Sequence, residues 1–203
     1  MPERYVLGVD GGTESLRAGV FDLQGRPRAF ASSAYATHFP QPSWAEQNPE
    51  DWWRALGLAV RQAVQEAKIR PDEVAALSVD TTCCSVVALD AAGKPLRPAL
   101  IWMDVRSGDL AAEVAASGDP ALEVNSAGAG PVSAEWMLPK ALWLQRHERA
   151  LYDRAAYVCE FQDYLNYHLT GRLVASICNA SVRWHYHSRR GGYQPSLLRR
   201  LGL

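Results

Sequence analysis

The sequence is short of several features that would settle its class outright. No apolar run approaches the ~18 residues that a membrane-crossing helix needs. No cationic stretch followed by an apolar run opens it either, so a secretory leader is not expected. Excess charge is missing: 21 Lys and Arg stand against 22 Asp and Glu, a net of −1. That balance gives no electrostatic case for nucleic acid or an anionic membrane as partner. Cysteine is sparse, and Cys83, Cys84, Cys159 and Cys178 fit neither a zinc ribbon nor a C-x-x-C pair. Reduced thiols and a cytoplasmic setting are expected. Internal repeats, low-complexity tracts and linkers are absent.

Two common phosphate signatures are missing as well. The glycines near the amino terminus are not followed by Lys-Ser or Lys-Thr, which excludes a Walker A loop. Their positions, 8, 11 and 12, also miss the G-x-G-x-x-G spacing of a dinucleotide fingerprint.

What is present is a chain of 203 residues, 48% hydrophobic and 21% charged, which fits one large domain. At that size about 70% of the unfolded surface is removed from water, so a core forms without staples. Tyr5 to Val9 is an apolar run ending in Asp10, and a second run returns through Leu16, Ala18, Val20 and Phe21. Between them lies Gly11-Gly12-Thr13-Glu14-Ser15, so the stretch predicts a β-hairpin with a Gly-rich tip. Glycines let backbone N–H groups approach an anion. Thr13 and Ser15 add hydroxyl donors, Arg17 a fixed cation, and Asp10 a carboxylate suited to hydrated Mg²⁺. The tip therefore has the parts of a nucleotide-phosphate site; the competing reading is an ordinary hairpin with a solvated Arg.

Farther along, Arg28 to Tyr35 predicts a third strand completing an antiparallel meander, and 38–47 a loop. Asn48-Pro49-Glu50-Asp51 is a helix start, with Trp52, Leu56, Ala59, Ala63, Val64 and Ala67 forming an apolar stripe. Strands are expected at 74–79, 85–90 and 100–104, then a helix capped by Ser107, a loop at a mobile edge over 118–130, and a helix after Trp136. A short buried strand at 157–160 and a helix closed by Gly171 follow. This order makes an α/β domain, and ligands of open α/β sheets gather outside strand carboxyl ends. Asp80, Thr81, Thr82, Trp102 and Asp104 are candidates by that rule. His185 and His187 lie two apart, as two metal ligands on one strand face would. With no acidic or thiol partner close in sequence, a solvated pair is the expectation. Asp163 is expected only as a helix N-terminal charge.

Four stretches taken together resemble the amino-terminal domain of the FGGY carbohydrate kinases along essentially the whole chain. They are Asp10 to Ser15 with Arg17, Ile101-Trp102-Met103-Asp104 with Arg106, Ser133-Ala134-Glu135-Trp136 with Pro139-Lys140, and Leu169-Thr170-Gly171. Glu14-Ser15, the Ser-Ala-Glu-Trp run and the segment from Cys178 to Tyr186 look most like the ribulokinase branch, the D-ribulokinase type in particular.

The resemblance implies a ribonuclease-H-like, actin/hexokinase-type α/β domain that moves the γ-phosphoryl of ATP, with Mg²⁺, to a hydroxyl of a small sugar or polyol. It implies that Gly11, Gly12, Thr13, Ser15 and Arg17 meet the phosphates and that Asp10 faces the metal. Thr82, Cys83, Cys84, Trp102, Asp104, Glu135 and, least directly, Arg183 would face the sugar. An Arg-Glu pair that marks the glycerol-kinase branch is missing at Thr82-Cys83-Cys84, which argues against glycerol. Family members are more than twice this length, and the resemblance puts the base that deprotonates the sugar, with the adenosine pocket, beyond Leu203. No catalytic base is therefore assigned, and the 203 residues alone are expected to be inactive. The expected completion is a second domain or another polypeptide, with a homo-oligomer also open. The rival readings are a non-catalytic nucleotide- or sugar-binding module and an actin-like ATPase that does not phosphorylate sugars.

Overall fold

The computed structural model describes residues 4–124 and 130–203. Its first three strands form the expected meander: β1 (Tyr5–Gly11), β2 (Ser15–Asp22) and β3 (Pro27–Ala34). The β1–β2 ladder is antiparallel from Tyr5 opposite Asp22 to Gly11 opposite Leu16. Next come a two-residue strand, β4 (Glu46–Gln47), and the long helix α1 (Pro49–Glu66). The Asn48 side chain accepts from the Glu50 N–H at the N-cap, with Pro49 at the first helical position. Trp52, Leu56, Ala59 and Ala63 are buried from this helix, as their 3–4 spacing requires.

A 3₁₀ turn (Pro71–Glu73) leads to β5 (Val74–Thr81), which lies parallel to β1. The sheet order is β3-β2-β1-β5, a mixed sheet in which the return to the β1 edge is made by α1. Along β1, Tyr5, Leu7, Val9 and Gly11 point into the core while Asp10 is exposed on the other face. Strand periodicity thus puts the carboxylate outside and the apolar residues under α1.

The remainder packs around this unit in smaller pieces: β6 (Val87–Leu89), β7 (Ala99–Leu100), α2 (Gly108–Ala116), α3 (Met137–His147), α4 (Arg149–Tyr152), β8 (Tyr157–Cys159), α5 (Phe161–Thr170), α6 (Ile177–Arg183), β9 (Tyr186–His187), β10 (Gly192–Tyr193) and α7 (Pro195–Leu201). The strand expected over 100–104 is only its first residue plus Ala99: after Leu100 the chain turns, and Asp104 N–H bonds back to the Ile101 carbonyl. Segment 157–160 does form a strand, but Tyr157 at its start is exposed. The 38–47 loop carries β4, because Glu46 bridges His38 and pairs with Leu100. A 3₁₀ turn (Pro120–Val124) occupies part of the expected 118–130 loop, and the part from 125 to 129 lies outside the described residues. Gly171, at φ 70°, ends α5 in the left-handed conformation that glycine tolerates best. Among the described residues no helix is long and apolar enough to cross a membrane.

Candidate phosphate and sugar site

The β1–β2 tip is tied down by its own backbone and by distant side chains. Gly12 N–H donates to the Ser15 carbonyl at 3.0 Å, so this amide closes the turn instead of facing an anion. The Gly12 carbonyl accepts from the Tyr35 hydroxyl, and the Thr13 carbonyl accepts from Gln47 Nε2 at 2.6 Å. Gln47 is held in turn by the buried indole of Trp52, which donates to Gln47 Oε1 at 2.9 Å. Burial raises the Tyr35 hydroxyl well above its ordinary range, keeping it a donor. Space at the tip demands glycine at position 11 and only crowds a flexible side chain at position 12. A Cβ on Gly11 would lie 2.8 Å from the Phe161 ring, and one on Gly12 would lie 2.6 Å from Arg17 Nη2.

Asp10 and Arg17 sit opposite each other in the ladder and form an ion pair at 3.1 Å with both side chains more than half exposed. Asp80, in register with Asp10 on β5, is also exposed. Oxygen donors from one or two carboxylates, completed by phosphate and water, are the donor set that Mg²⁺ takes. The residues present therefore fit that ion. Among the described residues no cluster of three or more His, Cys, Asp or Glu forms an all-protein metal cage.

Beside the tip lies an open cavity of about 360 Å³ lined by Thr13, Thr82, Cys83, Cys84, Trp102, Glu135, Trp136 and Arg183. Six of the seven residues assigned to the sugar by resemblance converge here, from four separate stretches of chain. Trp102, 37% exposed, turns its indole N–H to the Thr13 hydroxyl at 3.0 Å. Arg183, at the end of α6, lies over the Trp136 ring, 4.8 Å from its centroid.

Asp104 is the exception and is corrected here. It is fully buried, and its carboxylate takes the Arg106 guanidinium at 2.7 Å and the Ala45 N–H at 2.7 Å. Arg106 also bridges to Glu46 at 2.7 Å and stacks over the Trp44 ring, 3.6 Å from its centroid. A carboxylate saturated inside such a network fixes loops and has no oxygen left for a sugar. The histidine expectation is corrected as well. His185 is buried against the Trp136 ring, and burial pushes its pKa down to about 4, so it is a neutral packing residue and not a solvated one. Ser107 stands at the N-cap of α2 as expected, yet its hydroxyl donates to the Ala134 carbonyl and makes no cap hydrogen bond.

Two buried groups hold Cys84, in the cavity wall, and neither has a role assigned from sequence, where Lys140 stands only within the Pro139-Lys140 motif. Lys140, fully buried in α3, donates from Nζ to the Cys84 carbonyl at 2.8 Å and the Ile101 carbonyl at 2.6 Å. Burial pushes its pKa down to about 8. Glu160 accepts from the Cys84 N–H at 3.1 Å and from Asn179 Nδ2 at 3.3 Å. Burial raises its pKa to about 8. Asp163 is more than a helix charge: it caps Glu160 N–H at 3.1 Å and the Ser176 N–H at 3.3 Å, with its pKa raised to about 6 by burial. Besides the Pro139-Lys140 motif, the signal for Lys140 was its place amid the apolar residues of α3, at a position the helical stripe buries.

The chain matches the family model described as the FGGY family of carbohydrate kinases, N-terminal domain, over residues 5–203. It is 30% identical to a glycerol kinase of Thermococcus gammatolerans, covering 99% of this chain and 41% of that protein. It is 29% identical to a ribulokinase of Geobacillus thermodenitrificans, covering 94% and 38%. Among solved structures it superposes on a xylulose kinase of Rhodospirillum rubrum with a TM-score of 0.87 and 28% identity, covering 98% of this chain and 41% of that one. The chain thus spans about two fifths of the length of these curated relatives. Three differently named kinases lie at nearly equal distance.

Proposed function

The chain belongs to the FGGY family of carbohydrate kinases, and we propose that it is the sugar- and phosphate-binding domain of an ATP-dependent kinase for a pentulose or related polyol, in the manner of a ribulokinase. One observation carries the reading: the Trp102 indole donates to the Thr13 hydroxyl at 3.0 Å. That bond fixes the wall of the sugar cavity to the tip of the phosphate hairpin, so a hydroxyl held against Trp102 meets the γ-phosphoryl held at the tip.

In this reading Asp10, with Asp80 beside it, holds Mg²⁺ at the exposed end of β1. The ion supplies neutralisation of the phosphate charge when bound. Arg17 leaves its pairing with Asp10 to meet phosphate oxygens. The exchange costs little, since exposed ion pairs are worth roughly 0–1 kcal/mol. Thr13 and Ser15 offer hydroxyl donors, and phosphoryl transfer depends chiefly on such positioning and charge neutralisation. The Trp102 face covers the carbon side of the sugar, while Glu135, Thr82 and Arg183 take its hydroxyls. Thr82-Cys83-Cys84 in place of an Arg-Glu pair favours a ketopentose over glycerol. A second domain completes the site with the adenosine pocket and the base, and a cytoplasmic setting suits the four free thiols.

The test is ADP release with a panel of ketoses, polyols and glycerol, by the 203-residue chain and by the chain extended through its second domain. Turnover is expected only in the extended protein, with a ketopentose preferred, and Asp10→Ala is expected to abolish it without loss of fold. Preference for glycerol, or near-normal turnover by the Asp10→Ala variant, overturns the reading.

A further inference from the structure

We propose that Cys83 and Cys84 form a dithiol site in the wall of the sugar cavity that captures uncharged trivalent arsenicals. Both thiols are free, both line the cavity, and their sulfurs lie 3.6 Å apart. The peptide between them is trans, as no cis bond occurs among the described residues. Adjacent Cα atoms across a trans peptide are about 3.8 Å apart, below the roughly 4.4–6.8 Å that disulfides span. Direct S–S closure therefore strains the backbone. A soft atom inserted between the two sulfurs is not so constrained.

The surroundings select the kind of thiophile. Arg183 and the Lys140 ammonium lie near the pair and favour thiolate on Cys83, whose pKa is pushed down to about 6, first by the hydrogen bond from the Cys84 thiol. Thiolate is the reactive form. The same positive charges oppose a divalent cation. No third His, Cys, Asp or Glu joins the pair into a metal cluster among the described residues. A neutral arsenical needs only two sulfurs and keeps its organic group. Cys84 is also held in place, its N–H by Glu160 and its carbonyl by Lys140, so the pair is ordered before capture.

The step is balanced without oxidant or reductant. An arsenoso group, R–As=O, loses its oxygen as arsenic forms one bond to each sulfur. The two thiol protons leave with that oxygen as water, and arsenic stays trivalent. The organic group then occupies the cavity between Trp102 and Trp136. Capture itself rests on the sulfur geometry; its consequence, exclusion of sugar, rests on the function proposed above.

The probe is phenylarsine oxide with intact-mass detection on the full 203-residue chain in excess glutathione. One phenylarsenic adduct per chain is expected, formed with loss of water, resistant to glutathione and removed by 2,3-dimercaptopropanol. Cys83→Ala and Cys84→Ala are each expected to abolish it, and Cys178→Ala to leave it intact. Cys83 is only half-buried, so its variant decides the matter even if the Cys84 variant fails to fold. An adduct that persists in Cys83→Ala, or that glutathione strips from the parent chain, overturns the proposal. Slower adduct formation in the presence of a ketopentose is the separate readout for the sugar reading. Unslowed formation counts against that reading while leaving the dithiol site standing.

Discussion

Lys140 and Glu160 clasp one residue from opposite sides. The ammonium of Lys140 donates to the Cys84 carbonyl at 2.8 Å, and the carboxyl of Glu160 accepts from the Cys84 N–H at 3.1 Å. Between them Cys84 holds φ at 70°, a left-handed conformation that non-glycine residues adopt at a cost. The clasp explains how the strained turn persists, and with it the shape of the cavity wall. Lys140 also reaches the Ile101 carbonyl, so the strand end before Cys84 and the turn before Trp102 share one buried cation.

Replacing that cation tests the arrangement. Lys140→Met leaves the buried Cys84 carbonyl without a donor, at about 1–3 kcal/mol for an unsatisfied group, while the Ile101 carbonyl keeps the Asp104 N–H. Urea denaturation is expected to show a loss in that range or above. Fluorescence of the folded variant is expected to report a more mobile Trp102.

Glu160 predicts a pH dependence. Its pKa is raised by burial from the ordinary 4.5 to about 8, so the folded protein keeps a proton that the unfolded chain releases. This contribution to stability is full below about pH 4.5 and is lost as pH rises through about 8. In Glu160→Gln, which keeps an oxygen for the Cys84 N–H, the corresponding fall should vanish. Subtracting the two stability–pH curves removes His185, which burial alone shifts, and leaves Glu160 with its electrostatic coupling to Lys140 and Asp163. A flat difference curve would contradict the assignment.

Asp104→Asn separates architecture from sugar contact. Breaking a buried pair by neutralising one partner typically costs about 3–5 kcal/mol. A large drop in the denaturation midpoint is expected, with the ketopentose affinity of the remaining folded protein unchanged. Trp102→Ala should do the reverse: an exposed ring is lost with little change in stability, while the sugar Kd rises ~10-fold or more, about 1.4 kcal/mol.

The two tip glycines should also differ. Gly11→Ala drives a methyl into Phe161 and the Thr81 methyl, neighbours packed in the protein, and overpacking of this kind costs about 1–3 kcal/mol. Gly12→Ala meets the far end of the exposed Arg17 side chain, which swings away cheaply. Calorimetric melting should separate them, with Gly12→Ala near the parent. Its effect should fall on nucleotide affinity, since it displaces the cation proposed to meet the phosphates.

What the sequence by itself determined is what local chemistry encodes. Two apolar runs wrote β1 and β2, Gly11 to Ser15 wrote the turn between them, Asn48-Pro49 started α1, and Gly171 stopped α5. Each signal acts over a few residues, through backbone φ, a cap or a period, so it can be read without knowing the fold. Family resemblance added the grouping of distant motifs into one cavity. The tertiary structure alone decided which polar groups are spent on the protein itself. Asp104 looks like a sugar ligand until Arg106 and the Ala45 N–H saturate it, and Lys140 is a motif residue with no role until three carbonyls surround its ammonium. Thr13 and Trp102 are 89 residues apart, and nothing local announces their hydrogen bond. A buried polar group takes its role from partners that only the folded chain brings within reach.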